Sequence, residues 1–210
     1  SGNINISGAY FENNRSNSGS ALYLVGSNLT QIEGSVFVGN GNGGKDDFLD
    51  RNVVFLEDDA IARIAYSTFA DNNAALSTFN QTDNSQLSVY SSIIHDLSSG
   101  YVFDTGFGSA LIVNCLIVHE TESFNSNNAE VIISDPMFVD PTNGDYHINA
   151  ALSPAVDYCT DTLAMAQYQD FDGEVRGFDD PNIINNLNTN GTYDIGADET
   201  HDFIFADAFE

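Results

Sequence analysis

Carboxylates are the groups in this chain that could do chemistry: there are 31 Asp and Glu against 5 Lys and Arg, a net charge of −26 at pH 7. They gather at Asp46, Asp47 and Asp50, at Glu57, Asp58 and Asp59, and at Asp170, Asp172, Asp179 and Asp180. Hard cations take roughly six to eight oxygens from carboxylates and carbonyls, so these clusters suit calcium. Asp170-Phe171-Asp172-Gly173 opens like a calcium loop, although the spacing after it is not that of an EF-hand. A solvated acidic face with diffuse counterions is the alternative.

Other chemistries find less support. Glycoside hydrolysis needs two carboxylates about 5 to 9.5 Å apart, and Glu57 to Asp59, Asp71, Asp96 and Asp104 offer candidates. With so many acids, such a pair carries little information, and Trp is absent, so no sugar-stacking platform stands out. A lyase acting on uronic acids needs cationic side chains, and only Arg15, Lys45, Arg51, Arg63 and Arg176 exist among repelling acids. His95, His119, His147 and His201 fall in no metal-ligand spacing and read as corner or surface residues. The charge argues against nucleic acid and anionic membranes as partners. No run of 18 apolar residues exists, so no membrane span is expected.

The elements that must position these acids are set by a recurring seven-residue phrase. It reads GAYFENN from Gly8, GSVFVGN from Gly34, YSTFADN from Tyr66, YSSIIHD from Tyr90 and VNCLIVH from Val113. Its fourth position is apolar (Phe11, Phe37, Phe69, Ile93, Leu116), its second mostly small, and its seventh polar (Asn14, Asn40, Asn72, Asp96, His119). The anchors lie 26, 32, 24 and 23 residues apart. One short apolar segment precedes each phrase and another follows it, and no long window carries a 3.6-residue stripe. Three short strands per period predict an all-β fold, a right-handed parallel β-helix of about five coils with the anchors in one inward column. Length variation then falls at corners, and the polar seventh positions can form a side-chain ladder along the axis.

After Ser134 the rhythm stops. All four prolines, Pro136, Pro141, Pro154 and Pro181, fall beyond it, and proline is excluded from paired strands. The expected organisation is coils over 1–134, an irregular C-terminal cap over 135–200 that covers the exposed end of the stack, and a tail over 201–210. Cys115 sits one place before Leu116, so alternation turns it outward. Cys159 follows the last coil; a bridge between the two would fit a secreted protein, with two free thiols as the alternative.

The cap carries a more specific signal. The run DPMFVDPTNGDYHI from Asp135, SPAVD from Ser153, DFDGEVR from Asp170 and YDIGADE from Tyr193 resembles the C-terminal part of the bacterial β-helix proteins called choice-of-anchor Q proteins, over roughly 135–199. The insertion between Arg176 and Tyr193 departs from that pattern. The resemblance implies a pectin-lyase-like fold and an extracellular or cell-surface location. The ending IFADAFE resembles the Phe-rich tails of some surface-exported bacterial proteins. The chain starts at Ser1 without a signal sequence, as expected of a mature or excised product.

Two function classes follow. One is a non-catalytic structural or adhesive module, assembling head to tail with itself and with calcium between subunits, or contacting surface or matrix glycans. Ile4 and Ile6 begin the chain already in strand register, and Phe203, Ile204, Phe205 and Phe209 lie beyond the cap; a contact between two such unlike surfaces propagates as a filament. The other is a carbohydrate-active enzyme or glycan-binding module.

Overall fold

The computed structural model describes residues 2–41, 51–97, 99–119, 130–160, 169–179, 181, 183 and 191–201. In chain order the strands are β1 (Ile4–Ser7), β2 (Tyr10–Glu12), β3 (Leu22–Val25), β4 (Leu29–Glu33), β5 (Val36–Val38), β6 (Asn52–Glu57), β7 (Ile61–Ala65) and β8 (Thr68–Ala70). They continue with β9 (Ser77–Gln81), β10 (Gln86–His95), β11 (Tyr101–Thr105), β12 (Ala110–Val118), β13 (Val131–Ile133), β14 (Phe138–Asp140) and β15 (Asp145–Ile148). Among the described residues one 3-10 turn, Pro141–Asn143, is the only helical element, and no helix is long and apolar enough to cross a membrane.

The protein is all-β, and its strands pair in parallel across the sequence period. One row runs β1, β4, β7, β10, β12 and β13; β2, β5 and β8 form a second that joins β10; β3, β6, β9 and β11 form a third. Side chains of equal register stack along each row. The columns are Ile6, Ile32, Ile64, Val89, Val113, then Phe11, Phe37, Phe69, Ile94, Val118, and Leu22, Val54, Phe79, Phe103. Phe11, Phe37 and Phe69 lie face to face with centroids 4.5 and 4.3 Å apart, near the spacing of neighbouring strands. Phe69 meets Phe79 edge-on at 4.7 Å, which joins two rows in one core.

The column differs from the expected one at two anchors: Ile94 and Val118 occupy it, not Ile93 and Leu116. β10 and β12 run on through a corner that other repeats turn at Gly8, Gly34 and Tyr66, and they place left-handed Ser91 and Cys115 there. The phrase therefore begins one residue later in the fourth repeat and two later in the fifth. A one-residue slip changes face, so Ile93 joins Ile117 in an outer cluster. A two-residue slip does not, and Leu116 stays inside, opposite Ser92.

Two hydrogen-bond ladders hold the corners. Asn14, Asn40 and Asn72 each donate from backbone N and Nδ2 to the next side-chain oxygen, at 2.9 to 3.1 Å, ending on Asp96. Asp96 accepts without donating, so it is a natural terminus. His119 is not in this ladder; its ring lies 6.4 Å from that of His95. Beside it the amides of Ala9, Ser35 and Ser67 donate to Ser35, Ser67 and Ser92 hydroxyls, which donate in turn to Glu33, Ala65 and Tyr90 carbonyls. The small second position of the phrase is thus a bonding position.

The described residues between 135 and 201 pack along the side of the rows. Strands β14 and β15 form an antiparallel hairpin; Tyr146 and Ala197 meet Val36, Val38 and Ala70, while Ile148, Ala155, Val156 and Ile195 meet Ile93 and Ile117. The Ala197 amide donates to Thr68 Oγ1 and the Gly196 amide to Ser91 O. These contacts cover strand residues that alternate outward and are themselves apolar. Cys115 and Cys159 form a disulfide, with Cα atoms 6.0 Å apart, tying β12 to this segment.

Candidate functional site

The motif residues of the C-terminal segment are spent largely on one another. Asp170 Oδ1 accepts from the amides of Asp172 and Glu174, and its Oδ2 from Glu199 N. Asp194 accepts from Asp157 N, Thr200 N and Thr200 Oγ1. Glu199 accepts from Gly177, Phe178 and Asp194 amides and faces Arg176 Nη1 at 3.6 Å. Arg176 is buried, donates from Nη2 to Ala197 O, and lies 4.7 Å above the Tyr66 ring, so it also ties the segment to the corner column. Burial pushes Glu199 and Asp194 upward, most strongly opposed in Asp194 by backbone hydrogen bonds; in Glu199 the Asp194 charge adds to it and Arg176 opposes it. Tied-down backbone amides are what these acids achieve.

A different set converges beside them. His147 from β15, Asp172 from the 169–175 loop and Asp198 from the closing loop place one potential ligand atom each within 4.8 Å of one another. They line an open cavity of about 580 Å³ together with Val139, Glu174 and His201. His147 Nε2 lies 2.6 Å from Asp172 Oδ2, its Nδ1 bonds Asp145 Oδ1, and Phe171 packs 5.1 Å from its ring. Burial works against a charged His147, yet the hydrogen bonds to Asp145 and Asp172 and the Asp198 charge outweigh it and raise its pKa to about 9. Burial pushes Asp198 up to about 6, opposed by the Ile148 amide and by His147. The cluster can hold a proton, or a cation in its place.

A second cavity, about 370 Å³, opens where the hairpin meets the corners, lined by Asp71, His95, Leu97, Asp135, Met137, Phe138, Pro141 and Thr142. Tyr146 donates to Asp71 Oδ2 at 2.9 Å. Burial lowers the His95 pKa despite the charges of Asp135 and Asp71.

The acids singled out in the sequence fare differently. Asp172 belongs to the converging cluster, whereas Asp170 beside it binds amides. Glu57 accepts from the Tyr23 hydroxyl; Asp58 and Asp59 are exposed left-handed corner residues, and among the described residues these three form no group with converging ligand atoms. Asp179 is exposed. Asp46, Asp47, Asp50 and Asp180 lie outside the described residues, as do Phe203, Ile204, Phe205 and Phe209. Ile6 packs on the core, and Ile4 is 50% exposed in β1, which among the described strands pairs with β4 alone. Sequence reasoning missed His147, Asp145 and Asp198. The alternation Asp145-x-His147, which sets both on one face of a strand, was the available signal. Comparison with family models, with curated proteins and with solved structures found no match for this chain.

Proposed function

We propose that the three parallel rows are the faces of a right-handed parallel β-helix of about five coils, and that the protein is a non-catalytic extracellular or cell-surface module with a structural or adhesive role. The observation that carries this is the use of the polar residues: Asn14, Asn40, Asn72, Asp96, Asp170, Asp194 and Glu199 satisfy backbone amides and one another. A motif whose acids are consumed this way specifies a shape. The same pattern supports likeness to choice-of-anchor Q proteins over 135–199, since the resembling residues form one bonded unit. The disulfide favours an oxidising compartment, hence an extracellular location.

In this reading the exposed side chains Ile4, Tyr10, Tyr23 and Val25, at the β1, β2 and β3 edges, receive a second copy of the chain. Calcium between subunits offsets the repulsion of bodies charged −26. Sedimentation and electron microscopy of the purified chain, with calcium and with chelator, test it. Calcium-dependent polymers are expected; a strict monomer at high concentration in calcium would overturn self-assembly.

The second cavity favours a second reading, a carbohydrate-active site using Asp71 and Asp135. New reducing ends from a polysaccharide panel, lost in Asp71→Asn and Asp135→Asn, would establish it in place of the first.

A further inference from the structure

The His147 cluster differs in kind from the acid clusters that suit calcium. One donor is an imidazole nitrogen, which calcium and magnesium seldom accept and first-row transition metals favour. The three donors come from separate parts of the C-terminal segment, β15 and two loops, and are brought within 4.8 Å only by the fold. Behind His147 stands Asp145, bonded to Nδ1, the carboxylate partner that fixes the ring of a metal-ligating histidine with Nε2 forward. Asp198 adds an observation independent of that grouping. It is 6% exposed, its Oδ2 takes the Ile148 amide at 2.8 Å, its Oδ1 has no hydrogen bond among the described residues, and the residue lines the cavity. A carboxylate so deeply set, with an oxygen within 4.8 Å of the His147 and Asp172 donor atoms, is placed to take a cation.

We propose that His147, Asp172 and Asp198 bind one divalent first-row transition-metal ion, with water from the open cavity completing its shell. The ion takes the place of the Nε2 proton, which passes to solvent. At Zn–N and Zn–O distances of roughly 2.0 to 2.2 Å, it fits between His147 and Asp172 once their contact opens modestly, a movement the exposed Asp172 permits. This site is independent of the structural or adhesive role and of any calcium between subunits.

The test uses the full chain, stripped with chelator and titrated with zinc and with calcium at fixed ionic strength, by calorimetry and by cobalt absorption spectra as a report on coordination. Saturable binding of one zinc ion per chain is expected, tighter than calcium by about tenfold or more, and weakened about tenfold or more in His147→Gln and Asp198→Asn. His147 is half-buried, so His147→Gln keeps the test decisive even if Asp198→Asn fails to fold. Zinc uptake that is unsaturable, or that survives His147→Gln unchanged, would overturn the proposal.

Discussion

Asp96 is where a single residue sets a pH dependence. It is fully buried, and burial raises its pKa from 3.8 to about 6 against the hydrogen bonds from Thr78 and Asn72. A folded pKa above the unfolded one means that its contribution is complete below about pH 4 and is lost as pH rises through about 6. Asp96→Asn keeps an oxygen for Asn72 and carries no charge. The variant should exceed the parent in stability by about 1 to 3 kcal/mol at pH 7, with the difference vanishing near pH 4. Urea titrations at several pH values measure this, and equal stability at pH 7 would refute it. Arg176 is the opposite case, because removing it strands Glu199. Arg176→Ala should cost about 3 to 5 kcal/mol, and adding Glu199→Gln should recover part of that loss; an additive double-mutant cycle would count against the pairing.

At the scale of elements, the disulfide and the aromatic column do different work. Cys115 and Cys159 close a sequence separation of 44 residues and fasten the side-packed segment to β12. Replacing both by Ser should lower stability by about 2 to 4 kcal/mol. Hydrogen exchange should then rise more in 135–201 than in β4, β7 and β10, since the rows keep their own ladders. Uniform loss of protection would instead mean that the two regions unfold as one. Phe37 is stacked on both faces, by Phe11 and Phe69, whereas Phe11 is stacked on one and is only partly buried. Phe37→Ala should therefore cost about 3 to 5 kcal/mol, clearly more than Phe11→Ala; chemical denaturation ranks the pair.

For the whole molecule the dominant quantity is the charge of −26. Self-repulsion of that size destabilises a compact state, and salt screens it. Melting temperature should rise with sodium chloride from about 10 mM to about 0.5 M. A calcium-selective chelator at fixed ionic strength should lower it if calcium binds specific sites, because a ligand of the folded state alone stabilises by mass action. A melting curve indifferent to the chelator would leave diffuse screening as the whole effect.

Strand period, spacing and the run of small and polar positions are local properties, so the sequence by itself determined an all-β chain of short parallel strands, the Phe11, Phe37 and Phe69 column and the Asn14, Asn40, Asn72 and Asp96 corner. Register is not local. Whether Ile93 or Ile94 faces inward depends on where β10 turns its corner, and only pairing with β8 and β12 decides that. The outward apolar residues Val36, Val38, Ile93 and Ile117 could not reveal what covers them until the C-terminal segment was placed. Nor could spacing join His147 to Asp172 and Asp198, which lie 25 and 51 residues away. Convergence of that kind arises when loops fold back onto one strand, and tertiary structure alone fixes it.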